Sequence, residues 1–177
     1  MVTNHNGPIR IWYQGFTDPV AHKNYVDNLQ AHLNEIAGER VTVEFHGIVP
    51  PAAHLHAIEE LRCSLGAMAN ALKAQKDGYD AFVMGHFQEA GIHEIKSMLK
   101  IPALSLGEAS MHFGCTLGRK IGLITIDPVF IPWHEDQIKL AGLSERVIGV
   151  RAMKTSPADY MKAFADKDTF EAILRQF

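Results

Sequence analysis

The sequence places a histidine where an apolar strand runs out. Asp80-Ala81-Phe82-Val83-Met84 reads as a buried strand, Gly85 breaks it, and His86-Phe87-Gln88-Glu89 forms a loop before a helix opens near Gly91. An imidazole ordinarily titrates near ~6.5, so a ring at the mouth of a strand can take up and release a proton at neutral pH. The alternative is a ring that only hydrogen-bonds the strand end. Other candidate groups carry less. His54 and His56 form an HxH pair, but that spacing on a helix turns the two rings to different faces, and no metal site is expected. His134-Glu135-Asp136 lacks the second histidine of HExxH, and residues 118–122 have neither GxGxxG nor P-loop spacing. The two cysteines, Cys63 and Cys115, lie in separate helix-like segments and form no CxxC site or disulfide framework.

These residues need a scaffold, and the chain alternates strand and helix throughout. Strands are expected at Ile9–Tyr13, Val41–Phe45, Asp80–Met84, Ala103–Leu106, Ile121–Thr125 and Val147–Ala152. Helices are expected from Val20 to Ala37, His54 to Lys76, Ala90 to Leu99, Glu108 to Leu117, Phe130 to Leu140, and from Pro157 to the end. In the long second helix Leu55, Ile58, Leu61, Leu65, Met68 and Leu72 share one face, the expected core face. Strict alternation predicts an α/β fold, a parallel sheet flanked by helices. Ligands of such sheets bind beyond the carboxyl ends of the strands, which directs attention to Tyr13–Asp18, His46-Gly47, Gly85–Glu89, Leu106–Glu108 and Thr125–Asp127.

The 177 residues are 47% hydrophobic and 21% charged, with a formal net charge of −3, the balance of an ordinary globular protein. No cluster of like charges offers a surface to nucleic acid or an anionic membrane, no apolar run approaches the ~20 residues of a bilayer span, and a cytoplasmic protein is expected. Asp18-Pro19-Val20 recurs as Asp127-Pro128-Val129, an offset of 109, and Arg40-Val41 recurs as Arg146-Val147, an offset of 106. This predicts a duplicated βαβ unit, with one domain over 1–117 and the start of a second over 118–177. The counterpart of the third strand would begin near about position 186, so the second domain is expected to be incomplete, its remainder lying past Phe177. Apolar helix faces and an incomplete sheet make a homo-oligomer an expectation.

The stretch DAFVMGHFQEAGIHEIKSMLKIPALSLGEAS, with the later Ile121–Thr125 strand, the Pro132–Leu143 helix and Arg146–Met153, resembles the aspartate/glutamate/hydantoin racemase superfamily, most closely its hydantoin and allantoin racemase branch. The resemblance implies two pseudosymmetric α/β domains with a small-molecule substrate (hydantoin, amino acid or dicarboxylate) between them, no cofactor, and a thiol on each side of the substrate α-carbon. One base removes the proton and an acid on the far face returns one, which inverts the centre. His86 stands where the family has its first cysteine, and neither Cys63 nor Cys115 falls on a motif position. His86 is therefore the expected catalytic group. The expected substrate contacts are Tyr13 and Gln14, with Gln14 as an amide donor; Gly85, Phe87 and Gln88, in a loop whose N–H groups would cradle a carboxylate or imide oxygen; Glu108; and Thr125 with Ile126, the Thr125 hydroxyl bonding a carboxylate. Glu89 and Glu108 are equally well read as first-turn helix acids. The leading reading is a racemase or epimerase abstracting a proton α to a carbonyl. The alternatives are a decarboxylase or cis–trans isomerase of the same superfamily using one thiol, and a non-catalytic metabolite-binding module.

Overall fold

The computed structural model describes residues 7–52, 54, 57–153 and 155–176; Leu55 and His56 lie outside them. Strand and helix alternate in the expected order: β1 (Ile9–Gln14), α1 (Lys23–Ala37), β2 (Val41–His46), α2 (Ala57–Lys76), β3 (Ala81–Met84), α3 (Ile92–Met98), β4 (Ala103–Ser105), α4 (Leu106–Leu117), β5 (Ile121–Thr125), α5 (Ile131–Leu140), β6 (Val147–Ala152), α6 (Pro157–Lys162) and α7 (Lys167–Leu174). A 3-10 turn, Pro128–Phe130, leads into α5. Helix α1 begins later than Val20 because the Asp18 carboxylate first closes a turn, accepting from the N–H groups of Val20 (2.8 Å) and Ala21 (3.2 Å). The segment after Pro157, expected as one helix, is two. No helix among the described residues is long and apolar enough to cross a membrane.

Two compact units divide between Gly107 and Glu108. In the first, four parallel strands run in the order β2-β1-β3-β4, and Ile11 pairs with both Val43 and Ala81. Strand β2 is an edge, and α1 closes it with side-chain amides rather than apolar burial. Asn34 Nδ2 donates to Val43 O and its Oδ1 accepts from Val43 N, each at 2.9 Å, while Gln30 bonds Val43 O and accepts from Phe45 N. Backbone groups that would otherwise invite another strand are thereby satisfied.

Helix α2 reverses the expected face. Cys63, Ser64, Ala67, Ala71 and Ala74 are buried against the sheet, whereas Leu61 and Leu65 are 57% and 61% exposed and Ile58 and Leu72 also face outward. A stripe of small side chains lets the helix axis approach the strands closely, which the leucine face would prevent. Below it Arg10, Glu44, Tyr79, His46 and Trp12 form one linked group. Arg10 pairs with Glu44 at 3.1 Å and lies 4.1 Å over the Tyr79 ring, the Tyr79 hydroxyl donates to Glu44, and Trp12 stacks on His46 at 3.3 Å. The Tyr79 hydrogen bond, then the Arg10 guanidinium, hold the Glu44 carboxyl below its ordinary 4.5 against the opposing effect of burial.

In the second unit β5 and β6 pair in parallel. Met111, Ile138, Leu143 and Val147 make its core, flanked by Cys115, Ile121 and Leu123. Because α4 contributes Met111 and Cys115 to that core, the helix expected to close the first domain belongs to the second unit. Asp127 accepts from Val129 N at 2.8 Å, the same cap that Asp18 makes to Val20. Arg146 donates to the carbonyls of Cys115, Gly118 and Arg119 at 2.7–2.8 Å, a cation on the last turn of α4.

Two outcomes follow from this packing. Ala71→Leu overfills the buried face of α2 and lowers unfolding free energy by about 1–3 kcal/mol, while Leu65→Gln on the exposed face changes it by less than about 0.5 kcal/mol. Urea denaturation that ranked the two the other way would overturn the assignment of faces. Because the Glu44 value is depressed in the folded state, its contribution is present above pH 4.5 and is lost as the pH falls through the lowered value. Glu44→Gln should therefore flatten the acid limb of stability measured between about pH 5 and 3, and parallel limbs in the two proteins would refute it.

Candidate functional site

Parallel pairing brings the carboxyl ends of β1 and β3 side by side, Gln14 opposite Met84, and Gly85 N donates to Gln14 O at 2.8 Å. His86 follows at once. Its Nε2 lies 3.0 and 2.9 Å from the two carboxylate oxygens of Glu60, and its ring stacks on Phe16 with centroids 4.3 Å apart and planes 19° from parallel. Glu60 sits in the first turn of α2, where the helix dipole favours a carboxylate, and is almost wholly buried. A carboxylate only accepts, so in this contact the ring donates from Nε2 to Glu60. The His86 side chain is 23% exposed against 3% for Glu60, so the ring is reachable and its partner is not.

The loop depends on a missing Cβ. One built on Gly85 would lie 2.0 Å from Cε1 of Tyr13, whose ring fills that space and whose hydroxyl donates to Gly85 O at 3.3 Å. Burial, with a smaller contribution from Tyr25, pushes Tyr13 up to about 12, so it stays a neutral hydroxyl.

Gln14 has a different role from the one expected. It is fully buried; its Oε1 accepts from Trp12 Nε1 and Asn70 Nδ2 at 3.0 Å each, and its Nε2 faces the carbonyls of Gly15, His46 and Gly47 at 2.7, 3.1 and 3.3 Å. The amide ties β1, β2 and α2 together and has no donor left for a ligand. Phe87 is half-buried and Gln88 is buried. Glu89 is not a first-turn acid: α3 starts at Ile92 after Gly91, and Glu89 adopts φ 57°, the one non-glycine residue in the left-handed region among the described residues. Glu94 takes the first-turn place instead. Cys63, one turn beyond Glu60, is buried, and that burial pushes its thiol up, opposite to an activated thiolate.

The second unit holds Glu108, Thr125 and Ile126. Glu108 is half-buried in the first turn of α4, favoured there by the helix dipole. Thr125 ends β5 buried, 3.1 Å from Nε2 of His134, and His134 Nδ1 lies 2.7 Å from Gln137 Oε1. Ile126 follows in a half-buried bend.

Within the first unit, then, the structure assembles Tyr13, Gly85 and His86, and adds Phe16 and Glu60, which sequence reasoning missed. Glu60 lay one turn before Cys63 on the small-residue face of α2, the signal that would have found it. His134 shares a helix face with Phe130 and Ile138 at spacings of four, the mark of a buried position.

A model of the family described as Asp/Glu/Hydantoin racemase matches residues 15–177. A hydantoin racemase of Pseudomonas sp. strain NS671 is 24% identical over 111 residues, 63% of this chain and 43% of that protein. A hydantoin racemase of Rhizobium meliloti is 26% identical over 103 residues, 58% of this chain and 43% of that protein. The match thus spans less than half of either relative. The crystal structure of allantoin racemase from Pseudomonas fluorescens superposes with a TM-score of 0.72 at 21% identity, covering 95% of this chain and 69% of that one. At this identity the superposition speaks for the fold.

Gly85→Ala should cost about 1–3 kcal/mol, because the new methyl displaces the Tyr13 ring. In a Tyr13→Leu background the same change should cost clearly less, and a double-mutant cycle by urea denaturation measures the coupling. Simple additivity would show that the ring and the glycine are independent.

Proposed function

Since the chain belongs to the Asp/Glu/hydantoin racemase family, we propose that it acts as a racemase or epimerase on a small hydantoin- or amino-acid-like substrate, with His86 removing the proton α to a carbonyl. The observation that carries the reading is the contact of His86 Nε2 with the buried Glu60 carboxylate at 2.9 Å, at the carboxyl end of β3. A ring held in this way has a fixed plane and a fixed tautomer, with Nδ1 as the basic nitrogen. On accepting the substrate proton it becomes an imidazolium paired with Glu60, so the positive charge formed during the reaction has a partner already in place. Phe16 restrains the ring from one face and excludes water there. Tyr13, kept neutral by burial, supports the loop through Gly85.

Proton abstraction is read directly as exchange of the α-hydrogen for solvent deuterium, followed by NMR over a panel of 5-substituted hydantoins and amino acids. His86→Gln should reduce exchange by at least about 100-fold. Glu60→Gln, which keeps the shape but removes the charge, should lower kcat by about tenfold or more with KM little changed. Undiminished exchange in His86→Gln would refute the assignment of the base, and absence of exchange in the native protein across the panel would refute the activity.

A further inference from the structure

The end of β5 holds a second buried polar group, and the direction of its hydrogen bonds can be worked out. His134 is 3% exposed, Thr125 6% and Gln137 8%, so the bonds among them are largely shielded from water. The Gln137 carbonyl oxygen, 2.7 Å from His134 Nδ1, can only accept, which puts the ring proton on Nδ1. A neutral ring then has its lone pair on Nε2, 3.1 Å from Thr125 Oγ1. The hydroxyl has one proton, and this geometry directs it to Nε2. What remains on Thr125 is a pair of acceptor sites.

We propose that His134, held by Gln137, is a positioning residue that takes the Thr125 hydroxyl proton and makes the end of β5 a hydrogen-bond acceptor, which recognises a ligand N–H rather than a carboxylate. The recognition step rests on the reading that the strand ends hold the substrate; the position of the protons does not. A carboxylate brought to this oxygen meets lone pairs and no donor, whereas an amide or imide N–H completes the chain N–H to Thr125, Thr125 to His134, His134 to Gln137. The expectation drawn from sequence, a hydroxyl donating to a carboxylate, is thereby reversed. Gln137 is as necessary as His134, because an amide nitrogen facing Nδ1 would shift the ring proton to Nε2 and release the hydroxyl to donate.

Long-range proton–nitrogen correlation spectra of the native protein with labelled, sequentially assigned histidines report which ring nitrogen carries the proton. His134 should show its proton on Nδ1 alone; a proton on Nε2, or on both nitrogens, overturns the proposal without any variant being made. Recognition is tested by calorimetry with 5-methylhydantoin, which offers ring N–H groups, and succinate, which offers only carboxylates. Thr125→Val should weaken 5-methylhydantoin by about tenfold and leave succinate within about twofold, and Thr125→Ser should restore the native affinity. The opposite pattern, succinate weakened and 5-methylhydantoin unchanged, overturns the acceptor assignment. If neither probe binds the native protein, the strand-end reading of the substrate fails, and the ring-proton position still decides the role of His134.

Discussion

The first unit depends on how closely α2 lies against β1 and β3. Cys63, Ser64, Ala67, Ala71 and Ala74 present little beyond Cβ to the sheet, and the short distance they allow puts two longer polar side chains of the same helix within reach of the strand ends. Glu60 meets the ring of His86, and Asn70 meets the amide of Gln14. A leucine at any of these small positions would move the helix away and separate both pairs. The packing and the site are therefore one arrangement. The interaction that orients the candidate base exists because the helix has surrendered apolar bulk on its inner face, and its leucines are carried on the other side.

Buried polar groups at the strand ends are satisfied in linked sets, not one by one. Gln14 bonds both the side chains of Trp12 and Asn70 and the carbonyls of the turn after β1 and β2, which gives that turn a single geometry. On the edge strand, Gln30 and Asn34 perform the same service for the backbone of Val43 and Phe45. A half-satisfied set would cost more than an apolar replacement, since each orphaned group forfeits its hydration. Such networks hold loops in one conformation, and a fixed Gly85–Glu89 loop is what the proposed base at its start requires. Glu89 in the left-handed region belongs to the same picture: strained backbone persists where its surroundings leave no alternative.

Much of the fold was legible because parallel α/β chains carry strong local signals. The strand positions and the alternation with helices come directly from short apolar runs bounded by Gly and Pro. The helix face of α2 was misread for a physical reason: hydrophobic periodicity marks the larger side chains, and it cannot tell a face buried by size from one buried by closeness. That error concealed Glu60. Gln14 was misjudged because a polar residue at a strand end looks the same in sequence whether it faces a ligand or satisfies neighbouring carbonyls; only the partners Trp12, Asn70 and His46 decide. His134 was weighed only against a metal-ligand spacing, although its place between Phe130 and Ile138 marks it as interior. His86 stood out as a candidate because a polar, titratable ring directly follows a buried strand and a glycine, a place that sequence alone can mark without showing the Glu60 partner.

In the proposed mechanism, an imidazole base gives proton abstraction different electrostatics from a thiolate base. A thiolate base is an anion that becomes neutral on protonation, so it enters the site with a charge that needs donors and leaves it with none. The Glu60-held imidazole is neutral as a base and becomes a cation on protonation, with a carboxylate 2.9 Å away to balance it. Beside a substrate that is becoming an enolate, the thiol route ends with one negative charge, whereas the imidazole route ends with an ion pair plus the carboxylate that stabilises it. The low dielectric around the buried Glu60 strengthens that attraction. It also requires the Glu60 charge to be paid for locally, which the first turn of α2 and the Nε2 proton together provide. In the proposed mechanism a histidine base therefore needs an acid on the facing helix turn, and the close approach of α2 supplies Glu60.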